Sequence, residues 1–375
     1  MKKLIALTIL ACAAVILAAP CGAAEMRGLW VDAFHPGFKN AEQTVDMVGK
    51  AKDCNFNALF VQVRKRGDVY YSSAIEPKAS DCAAGYDPLA DIIAKAHASG
   101  LQVHAWLSLF EVYHDNSWVK VDANQVHLTH PEWLMKDDRG RTKFPGDKVF
   151  LDPGVPAVRD YLAGLAEEIV RKYNVDGIHL DIVRYPAREA GYNETSVALF
   201  NQQTSRSGKP DKNDEAWCNW RKAQSTQFVQ AVYQRATAIK PAVKISAAVF
   251  ANRSDAADYR FQDWEAWLRA GILDFAVPMN FALDSRVFLT KSEETSSLSN
   301  TGRAIYMGQG GYKMSADAAV DQIAMAKSAG YSGVVVYSYA YCSIPRGDDA
   351  VSLMDALKAG LFAKPDTVPT LAWKQ

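Results

Sequence analysis

Hydrophobic positions along the chain follow two alternating rhythms. Short runs of branched and aromatic residues, RGLWVDA at 27–33, ALFVQV at 58–63 and LQVHAWL at 101–107, have strand character. Between them apolar residues recur every three or four positions, as at Val45, Val48 and Ala51, the spacing of a helix with one buried face. The beat continues with strands predicted at 176–183, 243–250, 273–280, 303–308 and 333–339. Helices are predicted at 41–53, 88–99, 155–173, 215–240, 263–270, 316–329 and 348–361. Asp87 is placed to cap the helix that starts at Pro88, and Gly100 to end it. Eight β-then-α units predict an α/β fold, a (β/α)8 TIM barrel with long loops after strands 3 and 4, at 108–153 and 186–214. An open doubly wound sheet is the alternative, but no glycine-rich phosphate turn follows the first strand.

In such a barrel, chemistry collects at the C-terminal ends of the strands. The run DGIHLDIVRYP at 176–186 puts His179 and Asp181 on one strand face, followed by Arg184 and Tyr185. Burying an unpaired charge is costly, so Asp181 is expected at a wet mouth, held ionised by Arg184 or His179. Glycoside hydrolysis commonly uses two carboxyl groups, and Asp68 and Glu111 are the candidates for the second. Asp32, Arg64, His104, Trp106, Asn280, Tyr312 and Tyr339 complete a polar and aromatic ring expected to bind substrate. Each has a plain structural alternative: an ion pair for Asp181, a cap for Asp68, a solvated loop carboxylate for Glu111, core packing for the aromatics. Neither His104 nor His179 has an HxH partner, so no metal or other cofactor is expected, and no GxSxG elbow occurs.

Composition narrows this further. The 375 residues are 49% hydrophobic and carry zero formal net charge, which argues against a nucleic-acid partner or a basic membrane surface. Lys2 and Lys3, the apolar run 4–19 and small residues up to Ala24 predict a signal peptide at 1–24, too short to be a stable span. The mature protein is then exported, periplasmic or extracellular, with no transmembrane helix. Lipid attachment at Cys21 is the second reading, disfavoured by Pro20. Cys54, Cys82, Cys218 and Cys342 show no CxxC spacing, and their pairing stays open. Residues 25–362 form the expected catalytic domain and 363–375 a tail.

Several motifs together carry a family resemblance. RGLWVDAF, FVQVRKRGDVYY, VHAWLSLF, the stretch from LDPGVP at 151 to DGIHLDIVRYP, then VPMNF and GQGGYK resemble the glycosyl hydrolase-like 10 family from about residue 26 to about residue 359. The resemblance implies an exported TIM-barrel glycoside hydrolase, and one branch acts on peptidoglycan glycan strands stripped of peptide stems. It implies Asp181 as the main catalytic carboxylate, Arg64 and Asp68 through VQVRKRGD, His104 and Trp106 through VHAW, and Asn280 through the PMN strand end. His179, Arg184 and Tyr185 would surround Asp181. Where many relatives continue VHAW with Asn-Pro-Tyr, this chain has Ser108-Leu109-Phe110-Glu111. The expected function is hydrolysis of a polysaccharide, peptidoglycan glycan first, with Asp181 as nucleophile or base and Asp68 or Glu111 as acid. A non-catalytic carbohydrate-binding barrel and a metal-dependent glycan deacetylase are the other readings.

Overall fold

A computed structural model describes residues 24–114 and 120–374. All but the last residue of the predicted signal peptide, Cys21 included, lies outside the described residues. Parallel strands close into a barrel: β1 (Met26–Val31), β2 (Ala58–Arg64), β3 (Gln102–Ser108), β6 (Gly177–Asp181), β7 (Lys244–Phe250), β8 (Phe275–Asn280), a seventh stave in two pieces, β9 (Ala304–Ile305) and β10 (Met307–Gln309), and β11 (Gly333–Tyr337). β11 pairs in parallel with β1, and β10 pairs with both β8 and β11, so no edge is left open. The fold is the (β/α)8 barrel expected. The main outer helices are α1 (Ala41–Asp53), α2 (Pro88–Ala98), α3 (Pro156–Lys172), α4 (Glu194–Thr204), α5 (Glu215–Ile239), α6 (Trp264–Arg269), α7 (Ser285–Ser296), α8 (Ala316–Ser328) and α9 (Leu353–Ala359). Asp87 caps α2 through the Ala90 amide at 3.1 Å, and Gly100 follows it with φ of 75°.

Several elements go beyond those predicted from the sequence. The loop after β3 holds an antiparallel hairpin, β4 (Glu111–His114) with β5 (Lys148–Phe150). The loop after β6 holds α4, and α7 fills the connection between β8 and β9. The last helix is shorter than 348–361, because Ser352 caps it by accepting from the Asp355 amide at 3.1 Å. The four cysteines after residue 24 are free thiols.

The barrel interior is aromatic. Phe60, Trp30 and Phe275 fill it, with His104 stacked on Phe60 at 4.5 Å between centroids. Gly177 makes this stack possible, since a Cβ there would lie 2.2 Å from His104 Nδ1. Residues after 362, set apart in the sequence as a tail, pack back across the barrel floor. Leu371 is buried, and Lys374 and Arg303 pair with the fully buried Asp274 at 3.1 and 3.3 Å. Trp373 Nε1 donates to the same carboxylate at 2.9 Å. Removing residues 366–375 is therefore expected to cost about 2–4 kcal/mol, from one lost apolar anchor and a weakened ion pair. Urea titration of the shortened chain checks this; an unchanged midpoint would show the segment to be passive.

Candidate active site

The C-terminal ends of the strands open into a cavity of ≈ 520 Å³. Strand parity decides what reaches it, because alternate residues face the barrel interior. On β6 the inward set is Gly177, His179 and Asp181. Asp181, the last of these, stands on the cavity wall. Trp106 Nε1 donates to its Oδ2 at 3.1 Å, the Ile182 amide donates to Oδ1 at 2.7 Å, and Arg184 Nη1 lies 3.6 Å from Oδ1. Ile182 has φ of 55°, a left-handed conformation that costs a branched residue about 1–3 kcal/mol. That bend points its own amide back at the carboxylate. Burial raises the Asp181 pKa, and the charge of Glu111 adds to the rise; Arg184, the Ile182 amide and Trp106 oppose it.

Glu111 opens β4 and lies on the same wall. Its position follows from β3. Ser108 pairs with Asp181, and the Leu109 amide donates to the Asp181 carbonyl at 2.9 Å, so the outgoing chain is pinned beside β6. Lys148, across the hairpin on β5, donates to Glu111 Oε2 at 3.0 Å. Both carboxyl groups are buried, but their partners differ: Asp181 accepts from the Trp106 indole and the Ile182 amide with Arg184 at 3.6 Å, and Glu111 accepts from an ammonium at 3.0 Å. Trp30, Trp106, Phe281, Tyr312 and Tyr337 supply flat apolar walls, the usual surface for stacking a sugar ring.

The other predicted residues divide. Trp106, Arg184 and Tyr312 line the cavity. His179 lies one layer below, fully buried; Trp30 Nε1 donates to its Nε2 at 3.1 Å, and its Nδ1 is 2.9 Å from Ser246 Oγ. Burial pushes its pKa down to about 3, so it is a neutral floor residue rather than a partner for Asp181. His104 is deeper still, held neutral by burial against Phe60. Asp32 stands behind the wall: Ser338 Oγ donates to it at 2.6 Å, His35 Nδ1 lies 2.7 Å away, and His35 Nε2 lies 3.2 Å from the Tyr341 hydroxyl. Asp32 therefore orients a cavity tyrosine through His35.

Five further residues also lie away from the cavity wall. Asp68 lines a separate cavity with Lys78 and Asn124, its side chain 3.7 Å from Lys65 and accepting from the Arg66 amide at 3.1 Å. Arg64 shares the parity of Gln62, but a register shift between them turns it out of the barrel. It is fully buried in a two-point pair with Glu76, both contacts 2.7 Å, and it also donates to the Ser108 and Leu109 carbonyls. Tyr185 packs edge-on to Phe261 outside the barrel. Asn280 has the outward parity and donates to the Phe288 carbonyl of α7 at 2.8 Å; its neighbours Met279 and Phe281 reach the cavity instead. Tyr339 lies against Gly37, because β11 stops at Tyr337 and a short helix, Tyr339–Cys342, follows. Tyr337 and Tyr341 take its place on the wall. Inward parity was the signal available for Trp30, Met279 and Tyr337.

Among the described residues no group of three or more His, Cys, Asp or Glu side chains could hold a metal ion, and no helix is long and apolar enough to cross a membrane.

Comparison with known proteins agrees with this geometry. The "Glycosyl hydrolase YngK" of Bacillus subtilis (strain 168) is 23% identical over 397 residues, covering 93% of this chain and 74% of that protein. The "Glycosyl hydrolase DigH" of Escherichia coli (strain K12) is 28% identical over 267 residues, covering 62% of this chain; the chain spans 56% of that relative's length. Among solved structures, the PgaB (BpsB) glycoside hydrolase domain of Bordetella bronchiseptica superposes with a TM-score of 0.66 at 11% identity, over 84% of this chain and 95% of that one, which establishes the shared fold. The family model for glycosyl hydrolase-like 10 matches residues 25–325. With its barrel closed and its paired carboxylates at the mouth, the chain belongs to the glycosyl hydrolase-like 10 family and is a glycoside hydrolase.

Proposed function

We propose that the protein cleaves the glycan strands of peptidoglycan, with Asp181 as general acid and Glu111 as the ionised nucleophile or base. The carrying observation is that these two carboxyl groups share one aromatic-walled cavity with unlike partners, burial raising the Asp181 pKa while Glu111 lies against Lys148. A general acid needs a pKa above the ordinary carboxylate value, and burial together with the Glu111 charge raises that of Asp181. Its partner has a cation beside it: Lys148 Nζ donates to Glu111 Oε2 at 3.0 Å. This reverses the role first expected for Asp181. Arg184 stands 3.6 Å from Asp181 and is placed to receive its charge after proton transfer. The aromatic walls would orient the rings on either side of the scissile bond. Export through the segment at 1–24 would bring the enzyme to such a glycan.

The direct test is incubation of the purified chain with peptide-free glycan strands and with a panel of neutral glucans, reading new reducing ends. Release from the strands is expected; saturable binding with no release from any glycan would favour a carbohydrate-binding role instead. Trp106→Phe gives a sharper test. It keeps the ring and removes the donor that favours ionised Asp181, so the Asp181 pKa rises further. The alkaline limb of the pH–rate profile is expected to move up by about one to two units, since a hydrogen bond to a charged group is worth about 1.5–3 kcal/mol. An unmoved limb would mean that Asp181 is not the group titrating there.

A further inference from the structure

Beside the catalytic cavity lies a larger one of ≈ 780 Å³, and the two meet at Glu111, Lys148 and Arg184. The acid pair therefore stands at the junction of a continuous trough, not at the end of a blind pocket. The second arm runs between the β4–β5 hairpin, the loop after β6 and the segment after β7. Its charges are unbalanced. Lys148 is matched by Glu111 at 3.0 Å, and Lys212 by Glu189 at 2.7 Å. Arg184 and Arg260 reach their carboxylates, Asp181 and Asp255, only at 3.6 Å, longer than a hydrogen bond. Arg188 has no acidic partner among the described residues; its guanidinium lies 4.9 Å over the ring of Tyr259, which is 52% exposed. Phe250 lies between two of these cations, with Arg184 at 4.9 Å and Arg260 at 5.2 Å from its ring centre.

A glycan needs two things from such an arm: flat apolar faces for its rings and directed donors for its substituents. Phe250 and Tyr259 supply the first. Three guanidiniums on one trough supply the second, and they suit an anion, because a planar fork of N–H donors matches a carboxylate. A neutral sugar would leave Arg188 facing no counter-charge. We propose that this arm is a subsite for an acidic sugar, whose carboxylate is received by Arg188 with Arg260 beside it. The proposal rests on the reading of the mouth as a glycan-cleaving centre, and it adds that the enzyme selects strands carrying a carboxyl group on a ring next to the cleaved bond.

The experiment is calorimetric titration of the full chain carrying Asp181→Asn, so that strands bind without being cut. The probes are peptide-free peptidoglycan glycan oligomers, with a lactyl carboxylate, and oligogalacturonate, with a ring carboxylate, each alongside its carboxyl-reduced counterpart. At least one acidic probe is expected to bind about tenfold tighter than its reduced form, with the difference shrinking as salt rises. Arg188→Gln should remove most of that difference, and Arg188→Lys should retain part of it. Circular dichroism confirms folding, and Arg260→Gln serves as the second probe if Arg188→Gln misfolds. Equal affinity for acidic and reduced probes, or discrimination untouched by both glutamine variants, overturns the subsite. Retained discrimination with no cleavage by the wild type overturns the hydrolase reading and leaves the subsite standing.

Discussion

Replacing Asp181 by asparagine is expected to lower hydrolysis of the natural glycan by about 10²–10⁴-fold, the span a positioned acid contributes. A glycoside with a leaving group that needs no protonation, such as a dinitrophenolate, should keep much of its rate in this variant and lose the alkaline limb of its pH profile. Glu111→Gln should instead be inactive on both substrates. The wild-type limb has a definite sign. Burial places the Asp181 pKa above the ordinary carboxylate value, so the acid form is depleted and the rate falls as pH rises through that raised value. The stability linkage runs the same way. A carboxyl raised in the folded state favours folding while protonated, at low pH, and that contribution is lost as pH rises through the folded value. Asparagine stays neutral at every pH and carries no cost of burying a carboxylate, which offsets a weakened hydrogen bond from Trp106 or Ile182. The variant should therefore melt close to the wild type. Equal loss on natural and activated substrates would move the acid role to Glu111.

The barrel was legible because its cause is local. Each predicted strand is a short apolar run bounded by caps and glycines, and eight such runs admit few packings. The loops were not legible, because their order comes from tertiary contacts. The β4–β5 hairpin is held by the Leu109 and Phe110 amides bonding to the carbonyls of Asp181 and Ile182, partners about 70 residues away. The site was legible where a side chain obeyed strand parity. His179, Asp181 and Trp106 fell inward as alternation requires. It failed where the backbone departed from a strand, at the register shift that expels Arg64 and at the end of β11 before Tyr339. Asn280 stays in β8 and points outward by parity, between two inward residues, Met279 and Phe281. Asp68 misled for another reason. Its motif is structural, a turn whose carboxylate accepts from the Arg66 amide, and a motif does not say which face it serves.

Arg64 matters for stability and, through it, for the site. Its guanidinium and the Glu76 carboxylate are both fully buried, and Tyr161 of α3 donates to the same carboxylate at 2.8 Å. Glu76→Ala leaves a buried cation with carbonyl partners only, and the loss is expected to be about 3–5 kcal/mol, read by chemical denaturation. Arg64→Ala should cost a similar amount by stranding the carboxylate. Arg64→Met with Glu76→Leu should recover much of it, because removing both charges abolishes the desolvation cost that one alone retains. Activity should not recover in parallel. Arg64 also donates to the carbonyls of Ser108, which ends β3, and Leu109, which leads towards the hairpin that carries Glu111. With no donor there the end of β3 loses its tether, and Glu111 is no longer held against the wall that Asp181 occupies. A double variant as stable as the wild type but several-fold less active would separate the two roles. One restored in both would show that the strand end is held by its own ladder, and that the arginine serves folding alone.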